Sequence, residues 1–189
     1  MEAALTGSPC GGCRQFLHET AHGDELQLLL YNKSPEAPNY GKPTTLAKLN
    51  PEPFGSDGSL LRPQHVPLSR LTDARRGDDK KLSAAALEAA RGAYVHKYPT
   101  ASGVAIKLTD GGIYTGSYLE IAGQNPSLSP LQSALVRMMV EGRSWNGIRS
   151  AVLVQEENTP FSQVDVTRSL LKSIAPRARL TVRHAGREA

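Results

Sequence analysis

Residues 8–19 read SPCGGCRQFLHE, and Cys10 and Cys13 are the two cysteines of a 189-residue chain. Two thiolates three positions apart can supply half of a tetrahedral zinc shell or work as a redox dithiol. They follow Pro9 at the start of a predicted helix. There, free N–H groups and the helix dipole favour thiolate over thiol, which suits either chemistry. A third reading is structural, with two small side chains packing a helix start. A thioredoxin-like pair also needs a preceding strand, and the segment before Cys10 is too short to judge one.

Helical geometry tests the tempting string Cys10, Cys13, His18, His22. At about 100° per residue, Cys13, Phe16, Leu17 and Thr20 share a face, and His18 lies about 140° from Cys13. His22 lies about 180° away by the same pitch. A zinc knuckle would need a loop, whereas RQFLHETA reads as an amphipathic helix. Both histidines are therefore expected on a solvated helix surface.

The elements that must position the pair follow from pattern. A helix is predicted over 10–22, broken at Gly23–Asp24 and followed by the apolar strand 26–31. Residues 32–80 carry Pro35, Pro38, Pro43, Pro51, Pro53, Pro63 and Pro67. They read as a long connection with one short helix near 44–49. Beyond it the pattern is regular: a helix over 82–94, then strands 103–108 and 113–119 around the turn Asp110–Gly111–Gly112. A helix over 129–142 has Ser129 as cap, Pro130 in its first turn and Gly142 at its end. Strand 151–155, helix 164–175 stopped by Pro176, and strand 179–184 complete the order, which predicts an α/β layer sandwich. Shifting residues 14–30 by 154 places Arg14 on Arg168, Leu17 on Leu171, Ala21 on Ala175 and Leu26 on Leu180. Residues 1–31 then correspond to the last third of the unit that residues 81–189 show in full.

Bulk composition narrows the function classes. Hydrophobic residues are 39% and charged residues 21%, ordinary for a globular domain. No apolar run approaches the ~20 residues of a membrane span. The opening MEAALTGSP lacks a signal peptide's charged start and apolar run, so a cytoplasmic, reducing setting is expected. Net charge is +4 and aromatics are 5%, with scattered basic residues and short clusters at Arg75–Arg76 and Lys80–Lys81. That pattern argues against a nucleic-acid surface.

The stretch SPCGGCRQFLHE resembles the Pro-Cys-x-x-Cys-Arg-Gln motif of cytidine deaminases. Residues 103–136, GVAIKLTDGGIYTGSYLEIAGQNPSLSPLQSALV, resemble the non-catalytic second domain of the two-domain dimeric members, and NPEPFG (50–55) resembles their linker. The resemblance implies a cytidine-deaminase-like α/β/α layer sandwich with a mixed sheet. Its second domain is complete and its first is represented by a C-terminal part. The implied divisions are 1–31, part of a zinc-binding catalytic domain; 32–80, a Pro-rich linker; and 81–189, a degenerate deaminase-like domain.

Cys10 and Cys13 carry over as zinc ligands. Arg14 sits where the family has an arginine beside the thiolates. Phe54 matches a linker aromatic that packs near the substrate base. In the family the metal acidifies a bound water, hydroxide attacks C4 of cytosine, and a glutamate two residues after a histidine ligand shuttles protons. Residues 1–8 hold no histidine and Glu2 as their one glutamate, so no catalytic residue is assigned and the His-x-Glu half of the site is expected to be missing. In the second domain the matching positions read Pro130-Leu131-Gln132, and 159–167 contains no cysteine. Glu120 falls where the catalytic copy has a ribose-binding acid, and without zinc it is expected to be a relic or a structural acceptor.

The implied function is zinc-dependent hydrolytic deamination of cytidine or deoxycytidine in pyrimidine salvage, by a homodimer that contacts neither nucleic acid nor membrane. This chain alone is expected to be inactive. The alternative is a catalytically dead, deaminase-like binding or assembly subunit.

Overall fold

The structure, a computed structural model, describes residues 2–31, 42–55, 65–69, 71, 79–96, 98–122 and 127–187. The expected Arg75–Arg76 cluster and Pro35, Pro38 and Pro63 lie outside these residues. The chain divides into two compact units, Met1–Arg62 with Ile121–Ser127, and Pro63–Glu120 with Leu128–Ala189.

The first unit is built on a strand–helix–strand crossover. Strand β1 (Glu2–Leu5) leads to helix α1 (Gly11–His18), and β2 (Gln27–Leu30) returns parallel to β1 with Leu5 opposite Leu30. Strand β3 (Pro43–Thr45) pairs antiparallel on the other side of β2, and the short helix α2 (Leu46–Leu49) follows at once. The sheet is mixed, in the order β1-β2-β3. Its core is Leu26, Leu28, Leu30 and Leu46, with Ala3, Leu5, Leu17 and Leu49 packed against it. β1 and β3 were not expected from sequence; each is too short to show a period of two. α1 ends at His18 rather than at residue 22. Its last turn closes through Glu19, whose N–H donates to the Gln15 carbonyl, and the chain then reverses at His22 in the left-handed region (φ 59°).

The second unit is a four-stranded mixed sheet with helices on both faces, the α/β/α layering expected. Helix α3 (Lys80–Arg91) precedes β4 (Ser102–Leu108), β5 (Ile113–Ser117), helix α4 (Pro130–Val140), β6 (Ile148–Glu156), helix α5 (Val164–Ile174) and β7 (Arg179–Ala185). Strand order is β5-β4-β6-β7; β4 runs antiparallel to β5 and β6, and β6 runs parallel to β7. The period of two sorts β4: Val104, Ile106 and Leu108 enter the core beneath α4 and α5, and Ala105 enters the core beneath α3. Two glycines let helices lie close on the sheet. A Cβ at Gly103 would meet Ala90 N of α3 at 2.2 Å, and one at Gly116 would meet Ala134 N of α4 at 2.2 Å. The predicted capping of α4 is realised in full: Ser129 accepts from Gln132 N–H, and the Gln132 side chain accepts from Ser129 N–H.

Candidate functional site: a cysteine pair at a helix start

Cys10 is the N-cap of α1, and its Sγ accepts from Cys13 N–H at 3.3 Å. The two Sγ atoms are 2.9 Å apart and share a hydrogen bond; both side chains are exposed. That shared proton, with Cys13 N–H, draws the Cys10 thiol below its ordinary pKa, while the same contact pushes Cys13 up. The contact therefore favours losing the proton from Cys10 before Cys13.

The donor set suits zinc. Tetrahedral thiolates at about 2.3 Å from a metal sit about 3.8 Å from each other. The sulfurs must therefore part by roughly 1 Å, which two exposed cysteine rotamers allow. The pair supplies two ligands; among the described residues no group of three or more His, Cys, Asp or Glu side chains is placed to hold a metal.

Arg14 is no free surface charge. Its guanidinium donates to Pro9 O (2.8 Å), Leu49 O (2.7 Å) and Ser8 Oγ (3.2 Å), tying the loop before the cysteines to the end of α2. Phe54 presents a ring that is 64% exposed on a backbone held firmly. Its N–H donates to Gln15 Oε1 (3.0 Å) and its carbonyl accepts from Gln15 Nε2 (3.1 Å). Gln15 Nε2 also donates to Glu19 Oε1 (2.8 Å), which in turn accepts from Ala122 N–H (2.8 Å). Gln15 and Glu19 are the buried residues of this helix region, at 5% and 0% exposure. Hydropathy could not reveal them; the signal was their i, i+4 spacing beside the cysteine pair.

The histidines need one correction. His22 is solvated and outside α1, with Nδ1 3.8 Å from Glu25. His18, expected on a solvated surface, is half-buried and its Nδ1 is covered. Neither meets the cysteines in any group able to hold a metal. Glu120 is buried and accepts from His96 N–H (3.0 Å) and Thr100 Oγ (3.4 Å), which makes it a structural acceptor.

Residues 45–168 match the family model for the cytidine and deoxycytidylate deaminase zinc-binding region. The chain belongs to this deaminase family. The matched span includes Phe54 and the second unit's sheet through β6, and zinc is the metal of the family. Among curated deaminases, the cytidine deaminases of Yersinia pestis (strain Pestoides F) and Yersinia pseudotuberculosis (serotype O:1b, strain IP 31758) are each 38% identical over 168 residues. The alignment covers 88% of this chain and 54% of each relative, so the chain spans about half the length of the curated relatives it matches. Solved cytidine deaminases are also similar. That of Burkholderia pseudomallei has a TM-score of 0.48 at 20% identity, covering 57% of this chain and 85% of its own. That of Mycobacterium tuberculosis has a TM-score of 0.47 at 20% identity, covering 58% and 91%. No helix among the described residues is long and apolar enough to cross a membrane.

Proposed function

We propose that this chain is part of a cytidine deaminase in which Cys10 and Cys13 hold zinc and the assembled enzyme converts cytidine or deoxycytidine to the uridine product. The observation that carries the reading is the cysteine pair at the N-terminus of α1, in a chain of the deaminase family. When bound, zinc supplies the acidification of water that allows attack on the ring near neutral pH. The chain's own residues then hold the site. Cys10 and Cys13 donate two sulfurs, Arg14 fixes the loop that carries them, and the Phe54 ring offers an apolar face to a pyrimidine.

The reading divides the chain into a catalytic part at 1–31, a linker at 32–80 and a non-catalytic deaminase-like domain at 81–189. It also implies a homodimer working in pyrimidine salvage in the cytoplasm, with no nucleic-acid or membrane partner. The reading needs a third protein ligand and a proton-carrying glutamate beyond the cysteine pair, because catalytic zinc normally keeps three protein ligands and no such group of three forms among the described residues. The isolated chain is therefore expected to turn over cytidine at least about 10²-fold more slowly than a complete site.

Zinc content per purified chain, measured beside the absorbance change of cytidine deamination, tests this. Bound zinc with little or no turnover is expected. Rapid turnover by this chain alone contradicts the missing half-site, and absence of zinc favours the alternative, a deaminase-like assembly subunit.

A further inference from the structure

A cavity of about 330 Å³ opens at one end of strands β4, β6 and β7 of the second unit, where α3 begins. Register explains its chemistry. Lys107 of β4 lies opposite Ser150 of β6, and Ser150 lies opposite Arg179 of β7. One row across three strands thus carries two cations and a hydroxyl. These positions share the face of Ala105 and Val152, the face α3 covers. Thr181, one step along the same face of β7, also lines the cavity, as does Arg149 at the start of β6. Lys107, Arg149 and Arg179 are the cations of the described lining.

Asp79 is the one acid of the lining among the described residues. It is occupied twice over, accepting from Leu82 N–H as the N-cap of α3 (3.0 Å) and from Lys107 Nζ (2.5 Å). Arg149 and Arg179 have no ion-pair partner among the described residues. Ser83 on α3, also in the lining, is only 5% exposed, and its Oγ has no hydrogen-bond partner among the described residues. A buried hydroxyl without a partner is costly, and a ligand oxygen accepting from it removes that cost.

We propose that this cavity binds a small phosphate-bearing molecule. Two arginines offer planar forks that match phosphoryl oxygens, and Lys107 with the Ser83, Ser150 and Thr181 hydroxyls adds donors from three strands and a helix. The volume exceeds that of a bare phosphate, and among the described residues no aromatic ring lines it to stack a nucleobase. A phosphate on a small polar carrier, such as a sugar phosphate, therefore fits best. The site is distinct from the deaminase reading: its described lining belongs wholly to the second unit, whereas the cysteine pair belongs to the first.

Calorimetric titration of the full chain with ribose 5-phosphate and, separately, with orthophosphate tests the assignment at matched ionic strength. Saturable binding of one equivalent is expected. The double variant Arg149→Gln, Arg179→Gln should weaken it by about tenfold or more, and Ser83→Ala by a smaller factor, both without changing the circular dichroism spectrum. Arg168→Gln, an exposed cation on α5, should leave it unchanged. Tighter binding of ribose 5-phosphate identifies a sugar carrier, and equal affinities identify free phosphate; either upholds phosphoryl recognition. Absence of saturable binding by either probe, or equal binding by wild type and the double variant, overturns the proposal.

Discussion

Two strand–helix–strand crossovers, β1–α1–β2 and β6–α5–β7, use the same parallel pairing and end in opposite chemistry. In the first, the helix N-cap is Cys10 and its sulfur accepts a backbone N–H. In the second, the N-cap is Gln163 and makes no side-chain cap bond. The loop before α5 is held instead from the sheet: Gln155 Oε1 accepts from Ser162 Oγ (3.2 Å) and Gln163 N–H (3.1 Å). The arginines matched by the 154-residue shift diverge likewise. Arg14 binds three oxygens around the cysteine loop, while Arg168 makes an exposed ion pair with Asp165 one turn away. The lesson is that the crossover is a frame. A helix N-terminus delivered over a strand end is a place for thiolates, or for plain amide packing, according to the cap and the first turn.

The comparison breaks most completely at the metal. Cys10→Ser with Cys13→Ser should abolish zinc binding, read by metal analysis after dialysis, because no soft ligand remains. Gln163→Ala should leave zinc content unchanged. Retention of zinc by the double serine variant would move the site elsewhere.

The next largest effect concerns the amide clamp. Gln15→Ala removes the side-chain partner of both Phe54 backbone groups and one of the donors to Glu19 Oε1, and should destabilise the first unit by about 1–3 kcal/mol. Hydrogen exchange should show faster exchange across residues 11–31 with β4 and β6 unmoved. Uniform acceleration throughout would mean that the two units unfold together.

Thiol chemistry sharpens the contrast within the pair. With Cys10 lowered and Cys13 raised, iodoacetamide should modify Cys10 first near pH 7, and the preference should fade as pH rises past the ordinary thiol range. Peptide mapping after brief alkylation decides it; equal labelling at pH 7 would refute the assigned order of the two thiols.

The smallest effect lies in the second unit. Lys107, followed by the Leu82 N–H, holds the Asp79 carboxyl below its ordinary pKa. A depressed folded-state value adds stability above the unfolded carboxylate pKa, and that stability is lost as pH falls through the folded value. About a third of each side chain is exposed, so the pair contributes about 1 kcal/mol or less. Asp79→Asn should therefore lower stability slightly at pH 7 and flatten its acid dependence below about pH 4. An unchanged acid limb in denaturant titrations would remove the pair from the account.

Much of the second unit was legible because its signals are local. Ser129, Pro130 and Gly142 bracket α4, and Asp110–Gly111–Gly112 marks the hairpin. The cysteine pair was legible for the same reason, since spacing within one turn is written in sequence. What stayed hidden depends on long-range register. The row Lys107–Ser150–Arg179 exists only once three strands align, and Gln15 gains meaning only when Phe54, 39 residues on, reaches it. Strands β1 and β3 were missed because three or four residues acquire strand geometry from β2 rather than from their own pattern.

Zinc K-edge absorption on the purified, zinc-loaded chain tests the central claim most directly. Two sulfur scatterers at about 2.3 Å, with nitrogen or oxygen filling the remaining positions, are the predicted first shell. A shell of nitrogen and oxygen alone would contradict the assignment of Cys10 and Cys13.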